Sequence, residues 1–161
     1  MKTNQDLAGG LVFATAVLKE LQARTGGNPF ENRFTIYTGT PDDVAVNASV
    51  KRYAADPRAM GALRNFYTPT GKISKPMLAV HTVYDPIVPA WVPNNYQVIA
   101  EGAGTSQWFV QQYVTHDGHC TITAPEIAKA FSELREWKAS GVRPGGGELK
   151  VEGQAVAAGS R

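Results

Sequence analysis

The stretch "KPMLAVHTVYDPIVP", at residues 75–89, decides the fold of this chain. Residues 76–82 form a compact apolar run in which polar and apolar side chains do not alternate cleanly. Such a run is typical of a parallel β-strand that is buried on both faces. Asp85 follows this run, in a loop that contains several prolines. The stretch therefore predicts a buried strand that ends in an acidic loop.

The residues after this stretch continue an alternation of strands and helices. A helix is predicted over residues 94–103, and the β-rich run "WFVQQYV" at residues 108–114 predicts the next strand. The loop "THDGHCTIT" at residues 115–123 follows, and then a helix over residues 124–141. This order predicts right-handed crossovers and a parallel sheet, so the expected fold class is α/β. The apolar face expected on the last helix consists of Ile127, Ala130, Phe131, Leu134 and Trp137.

The residues before the deciding stretch are predicted to be mainly helical. An N-terminal amphipathic helix is expected to end at Gly26, and residues 33–39 predict a short strand. Residues 42–66 are helical in pattern, with a restart at which Asp56 is the cap and Pro57 the first helical residue. The apolar stripe of the N-terminal helix consists of Leu7, Leu11, Ala14, Leu18 and Leu21.

Composition and charge narrow the classes of partner. The chain has 161 residues, of which 43% are hydrophobic and 19% charged, and this fits one globular domain with a core. The net charge of +2 is scattered without a basic stripe, so no nucleic-acid partner is expected. No apolar run reaches the length of a membrane span, and the N-terminal apolar stretch has no cleavage pattern of a signal peptide. We therefore expect no membrane partner, and the sequence indicates no compartment.

Two polar residues follow the two main predicted strands. Asp85 comes after the first strand, and His119 comes after the second. The carboxyl ends of parallel strands gather functional groups, and neighbouring strands lie only about 4.8 Å apart. A carboxylate bound to one imidazole nitrogen fixes the tautomer, so that the other nitrogen can take a proton from a hydroxyl nucleophile. Asp85 and His119 are therefore the candidate catalytic residues.

Plainer interpretations exist for the same residues. Asp85 precedes a proline and could cap a turn, and His119 could be a surface histidine; only their pairing favours catalysis. His116 is expected to be solvated or hydrogen-bonded in its loop, as is Asp117, and His81 is expected to be a satisfied core histidine.

Metal and thiol chemistry are not favoured. His116, Asp117, His119 and Cys120 lie close in sequence, but they lack the spacing that aims several ligands at one ion, so no metal site is predicted. Adjacent residues on an extended loop point apart, so the His119 imidazole is not expected to activate the thiol of Cys120. Cys120 is therefore interpreted as a small buried hydrophobe. Trp91, in the acidic loop, is a weak candidate for substrate binding, with packing as the alternative.

Three segments together resemble the C-terminal half of an α/β-hydrolase: "KPMLAVHTVYDPIVP", "YVTHDGHC" and "ELREWKASGVRP". In that family the catalytic residues follow the order nucleophile, acid, histidine. The resemblance assigns the acid to Asp85, which is followed by Val88 and Pro89, and the histidine to His119, which follows Gly118. It implies serine hydrolysis of a small-molecule ester or amide substrate, without a cofactor. It further implies a cap-like segment at residues 1–70, part of the hydrolase core at residues 71–144 and a flexible tail at residues 145–161.

The chain departs from the family at the nucleophile. None of its serines lies in the G-x-S-x-G elbow; they are Ser49, Ser74, Ser106, Ser132, Ser140 and Ser160. We therefore expect the nucleophile and the oxyanion donors to lie outside this chain, in a parent sequence of which it is a fragment or remnant. The isolated chain is then expected to be inactive, and its open strand edge predicts association into a homo-oligomer. The alternative is a non-catalytic remnant or a partner-binding module of the same fold.

Overall fold

A computed structural model describes residues 4–151, apart from the side chains of residues 5–7 and 13. The described part is mixed α/β, with helices and a three-stranded sheet. The helices are α1 (Asn4–Val12), a π-helical segment (Phe13–Val17), α2 (Leu18–Thr25), α3 (Asp43–Ser49), α4 (Pro57–Phe66), α5 (Trp91–Gly102), a 3-10 turn (Ser106–Trp108) and α6 (Ala124–Ser140). The strands are β1 (Met77–Tyr84), β2 (Phe109–Asp117) and β3 (Gly147–Glu148).

The chain forms two compact units. One unit is Leu7–Thr68, and the other combines the residues before Leu7 with those from Pro69 onward and contains the sheet. Within the described residues, no helix is long and apolar enough to cross a membrane.

The sheet is parallel, as predicted, and its strand order is β1-β2-β3. Met77 of β1 lies opposite Phe109 of β2, and the register holds to Thr82 opposite Val114. It shifts between Thr82 and Tyr84, where β1 approaches the acidic loop. β2 is the middle strand, and its residues from Phe109 to Gln112 are all buried. The α/β class and the parallel pairing of the two predicted strands are confirmed.

The predicted flexible tail from residue 145 is wrong for its first part. Residues 147–148 form β3, and the Leu149 N–H donates to the Tyr113 carbonyl over 2.8 Å. Leu149 is buried in a cluster with Val114 and Ala130. The consecutive glycines allow this close approach, because a Cβ at Gly146 would lie 3.2 Å from the Gln111 carbonyl oxygen. Glycine content alone predicts flexibility, whereas here the absence of side chains lets the backbone of the glycine segment approach β2 closely. Residues 152–161 of that predicted tail lie outside the described part.

Helix α6 begins at Ala124 as predicted, ends at Ser140, one residue before the predicted end, and buries part of the predicted face. Ala130 and Trp137 are buried, whereas Ile127 and Phe131 are 56% and 60% exposed. Leu134 is half-buried, so three of the five predicted residues lie on the inner face, which also contains the buried Glu126. A pattern of apolar residues alone does not predict a buried glutamate.

Helix α5 begins at Trp91, earlier than the predicted start at residue 94. Pro93 therefore lies in its first turn, where a backbone N–H has no intrahelical acceptor and its loss costs nothing. The prolines of this segment predict a loop, although one of them is compatible with the start of a helix.

Residues 33–39 form no strand, contrary to the prediction. The Tyr37 backbone pairs with the Asn47 side chain, whose Oδ1 accepts from the N–H over 2.9 Å and whose Nδ2 donates to the carbonyl over 2.7 Å. Arg52 donates to the Thr35 carbonyl over 2.6 Å. Side chains thus take the hydrogen bonds that a neighbouring strand would need. The predicted restart at Asp56 is confirmed, because its Oδ1 accepts from the N–H groups of Arg58 and Ala59.

The N-terminal apolar stripe is interrupted. Leu11 is 58% exposed and Leu18 is 36% exposed, while Leu21 is half-buried; the side chain of Leu7 lies outside the description. A π-helical segment, Phe13–Val17, separates α1 from α2. Because a π-helical turn contains an extra residue, it rotates the positions after it relative to those before it. A regular helical period therefore could not place this stripe on one face.

Candidate active site

Asp85 is held in the loop directly after β1 and is 7% exposed. Its Oδ1 accepts hydrogen bonds from the N–H groups of Ile87 and Val88, each over 2.8 Å. This is the turn geometry that an aspartate before a proline favours. One carboxylate oxygen thus organises the loop, while the second oxygen remains available to another group.

His119 lies in a turn that is hydrogen-bonded to β1. The Gly118 N–H donates to the Tyr84 carbonyl over 3.1 Å, and Thr82 Oγ1 donates to the Gly118 carbonyl over 3.0 Å. Gly118 has φ +112°, which is strained for other residues, and a Cβ there would lie 2.8 Å from Thr121 Cγ2. The glycine before the histidine is therefore required by the turn. It brings the end of β2 against the end of β1.

The two predicted site residues meet. His119 Nδ1 lies 2.8 Å from Asp85 Oδ2, where a carboxylate accepts the ring N–H. The Asp85 side chain is 1% exposed, whereas that of His119 is 43% exposed. Within residues 4–151, no group is hydrogen-bonded to His119 Nε2. The arrangement is a buried carboxylate that orients a partly exposed imidazole whose second nitrogen has no partner among the described residues.

Opposing effects act on the Asp85 carboxyl. Burial raises its pKa, whereas the Val88 N–H, the His119 side chain and the Ile87 N–H all lower it by binding the charged form. The hydrogen bonds outweigh the effect of burial, so the pKa of Asp85 lies below the ordinary value of an aspartate. The group is therefore an anion at neutral pH, as an imidazole partner requires.

His116 belongs to a separate pair with Glu126. Its Nε2 lies 2.8 Å from Glu126 Oε1, and the glutamate is 3% exposed at the first turn of α6. Glu126 Oε2 also accepts from the backbone N–H and hydroxyl of Thr123, each over 2.8 Å. Burial raises the pKa of Glu126, but hydrogen bonds from Thr123 and His116 outweigh burial and leave the pKa below its usual value. The prediction that His116 is hydrogen-bonded is confirmed, and its partner was not predicted.

That missed partner had a signal in the sequence. The residues "TAPE" at 123–126 fit the capping-box pattern, in which a threonine and a glutamate three residues later cap a helix reciprocally. The pattern predicts a glutamate fixed at the helix start, close to the loop that carries both histidines. It could therefore have predicted that the loop contains two histidine–carboxylate pairs.

His81 lies on β1 and is half-buried. Its Nε2 lies 2.8 Å from the Val88 carbonyl oxygen, so it is a satisfied histidine, as predicted. The same nitrogen lies 3.8 Å from Asp85 Oδ2. No pattern in the sequence predicts this contact, because it depends on how the acidic loop turns back on the strand.

The other candidates are exposed. Cys120 is exposed, with φ +57°, so the prediction of a buried hydrophobe is wrong. The left-handed backbone turns its thiol outward rather than into the core. Trp91 is 65% exposed at the start of α5, and Asp117 is exposed at the end of β2. Among the described residues, no three His, Cys, Asp or Glu side chains are arranged to hold a metal ion.

The serines of the described part have other positions. Ser49 and Ser140 donate to backbone carbonyls of their own helices, over 2.7 Å and 2.8 Å. Ser160 lies outside the described residues. No serine from residue 4 to residue 151 is hydrogen-bonded to His119.

A search of protein-family models, of curated proteins and of solved structures finds no match to this chain.

Proposed function

We propose that this chain carries the acid and the base of a serine hydrolase of the α/β-hydrolase kind, acting on an ester or amide. One observation carries the proposal: Asp85 Oδ2 holds His119 Nδ1 at 2.8 Å while Nε2 is left without a partner in the described part of the chain. This is the division of roles that a general base needs. Asp85 fixes the tautomer, and His119 presents a lone pair.

The proposed reaction is acyl transfer through a hydroxyl nucleophile. His119 Nε2 takes the proton of a serine hydroxyl as its oxygen attacks the carbonyl carbon of the substrate. The carbon–oxygen or carbon–nitrogen bond of the substrate breaks, and the leaving group takes that proton from His119. Water then repeats the sequence on the acyl-serine and releases the acid. Throughout, Asp85 remains an anion and stabilises the imidazolium that forms.

The nucleophile is proposed to lie on a separate segment with a G-x-S-x-G elbow. In the proposed complete fold, residues 71–144 are the second half of the hydrolase core, and residues 1–70 are cap-like. The placement of Asp85 and His119 at adjacent carboxyl ends of parallel strands supports this assignment. The elbow would supply both the hydroxyl and the oxyanion donors.

A complementation experiment tests the proposal. The isolated chain is expected to leave nitrophenyl esters intact and to take up no fluorophosphonate at serine. The chain is then co-expressed with the segment encoded upstream in the same frame, or with the first half of an α/β-hydrolase. Esterase activity and labelling of the supplied serine are expected to appear. Stoichiometric labelling of a serine in the isolated chain contradicts the proposal.

His119 and His116 form a matched pair of variants for that experiment. His119→Ala is expected to abolish the restored activity, because no other described group can take the serine proton. His116→Ala is expected to change kcat by less than about tenfold, equivalent to about 1.4 kcal/mol of barrier. Loss of activity in His116→Ala with retention in His119→Ala would mean that the wrong histidine has been assigned.

A second candidate function is a partner-binding module without catalysis. It is favoured by β1, which pairs with β2 on one side and with no other strand of the described part. An exposed strand edge can accept a strand of another protein. The complementation experiment separates the two functions, because a binding module forms the complex without gaining activity.

A further inference from the structure

Two imidazoles face the same oxygen of Asp85. His119 Nδ1 is hydrogen-bonded to Oδ2 at 2.8 Å, and His81 Nε2 lies 3.8 Å from it. The His81 nitrogen is instead hydrogen-bonded to the Val88 carbonyl oxygen at 2.8 Å. Its side chain is 17% exposed. His81 therefore contacts the acidic loop without occupying the carboxylate.

We propose that His81 is a positioning residue for the Asp85–His119 pair. Its Nε2–H donates to the carbonyl of Val88 and thereby holds the residue whose N–H group binds Asp85 Oδ1. The loop is then locked in the conformation that leaves Oδ2 free for His119. The effect of His81 on catalysis rests on the proposed function, whereas its effect on the conformation of the loop and on the Asp85–His119 contact does not.

The hydrogen-bond roles around Val88 support this assignment. Its N–H donates to Asp85 Oδ1 over 2.8 Å, and its carbonyl accepts from His81. Both sides of this one residue are therefore held, one by the loop aspartate and one by the strand that precedes the loop. A carbonyl can only accept, so His81 must carry its proton on Nε2. An apolar side chain at this position could fill the space but could not donate.

The side chain needed at position 81 is defined by reach and by hydrogen bonding. Glutamine can place an amide N–H near the position of Nε2, whereas asparagine is one methylene shorter. Both are polar and neutral, so they differ mainly in whether they reach the Val88 carbonyl. His81→Gln is therefore the rescue variant, and His81→Asn is its matched control. His81→Leu removes the donor while keeping an apolar side chain.

Nitrogen-15 NMR of the isolated chain tests the proposal. In the unaltered protein, the neutral His119 ring is expected to be the Nδ1–H tautomer, and the Ile87 and Val88 amides are expected to be protected from exchange. In His81→Leu and His81→Asn, His119 is expected to become a mixture of tautomers. The two amides are expected to exchange about tenfold faster, as loss of one hydrogen bond implies. His81→Gln is expected to restore both signals.

Each outcome has a defined meaning. Unchanged His119 tautomer and unchanged amide exchange in folded His81→Leu would overturn the proposal. If His81→Leu does not fold, the comparison of His81→Gln with His81→Asn decides, and equal spectra for these two would overturn it. His116→Gln serves as the control, since it alters the other pair and is expected to leave the Val88 amide protected. The measurement needs neither substrate nor serine, so it can fail while the proposed hydrolase activity holds, and the reverse.

Discussion

At Asp85, the two carboxylate oxygens bind different parts of the molecule. Oδ1 organises the turn through Ile87 and Val88, and Oδ2 binds His119. The two interpretations of this residue, turn former and acid, are therefore compatible, because each uses one oxygen. A variant that keeps one oxygen and changes the other can separate them.

Asp85→Asn is such a variant, since the amide oxygen can still cap the turn while the NH₂ group cannot accept from His119. We expect it to lower the free energy of unfolding at pH 7 by about 1.5–3 kcal/mol, the range for a charge-assisted hydrogen bond. The folded pKa of Asp85 is lowered, so its stabilisation is complete above the ordinary aspartate pKa of about 3.9 and is lost as the pH falls through the folded value. Urea unfolding at pH 7 and below pH 4 measures this. A difference between the two proteins that does not shrink in acid contradicts it.

The three histidines are expected to differ in reactivity towards diethyl pyrocarbonate, which acylates a free imidazole nitrogen. Their side chains are 43% exposed at His119, 33% at His116 and 17% at His81. His119 is also the one whose Nε2 is without a partner in the described structure. We expect His119 to be modified first, followed by His116 and then His81. Peptide mapping by mass spectrometry over time gives the order, and equal rates in urea provide the control.

At the scale of secondary structure, the start of α6 links helix stability to the histidine loop. Glu126 caps the helix reciprocally with Thr123 and binds His116 with its other oxygen. Because the carboxylate is buried, its hydrogen bonds to Thr123 and His116 compensate for its lost hydration. The capping box is thus also the anchor of His116.

Glu126→Ala is expected to lower the free energy of unfolding by about 1–3 kcal/mol, because it removes a cap and leaves polar partners unsatisfied. Glu126→Gln is expected to cost less, since glutamine also serves in capping boxes. Glu136→Ala, at an exposed position of the same helix, is the control and should have little effect. Thermal unfolding followed by circular dichroism compares them. An equal loss in Glu126→Ala and Glu136→Ala would argue against the buried cap.

The elements differ in how far the sequence predicted them. β1, β2 and α6 carry strong local patterns, and the pair of Asp85 and His119 followed from the order of those elements. β3 could not be predicted, because a two-residue strand among glycines is stabilised only by pairing with a distant strand. The strand predicted over residues 33–39 is wrong for the converse reason. Their composition is typical of a strand, but no neighbouring strand pairs with them in the described part of the chain. Contacts made through side chains, such as that of His81 with Val88, leave no periodic signal at all.

At the scale of the whole molecule, the sheet has one unpaired side. β1 is apolar and pairs only with β2 among the described strands, and the exposed Tyr84 lies at its end. Unpaired strand edges without charged side chains promote association between chains. A chain with this edge open is therefore expected to bury it against another molecule.

We expect the isolated chain to form oligomers and to bind a hydrophobic dye, as measured by light scattering after gel filtration and by dye fluorescence. Tyr84→Lys is expected to reduce association by placing a charge at the edge strand. Phe66→Lys adds the same charge at an exposed position of α4, which is not part of the sheet, and should leave association unchanged. A monomer with a sharp two-state melt and no dye binding would contradict this expectation.

The crossover between β1 and β2 also has a consequence for the order of folding events. The His119–Asp85 hydrogen bond joins residues 34 positions apart, and it needs both strand ends in register. Closing so long a loop has an entropic cost that local helix formation does not share. During refolding, helical signal should therefore rise before the imidazole acquires its carboxylate partner. The appearance of the downfield ring-proton signal of His119 would then give the time at which the sheet assembles, because it requires these two distant parts of the chain to be in contact.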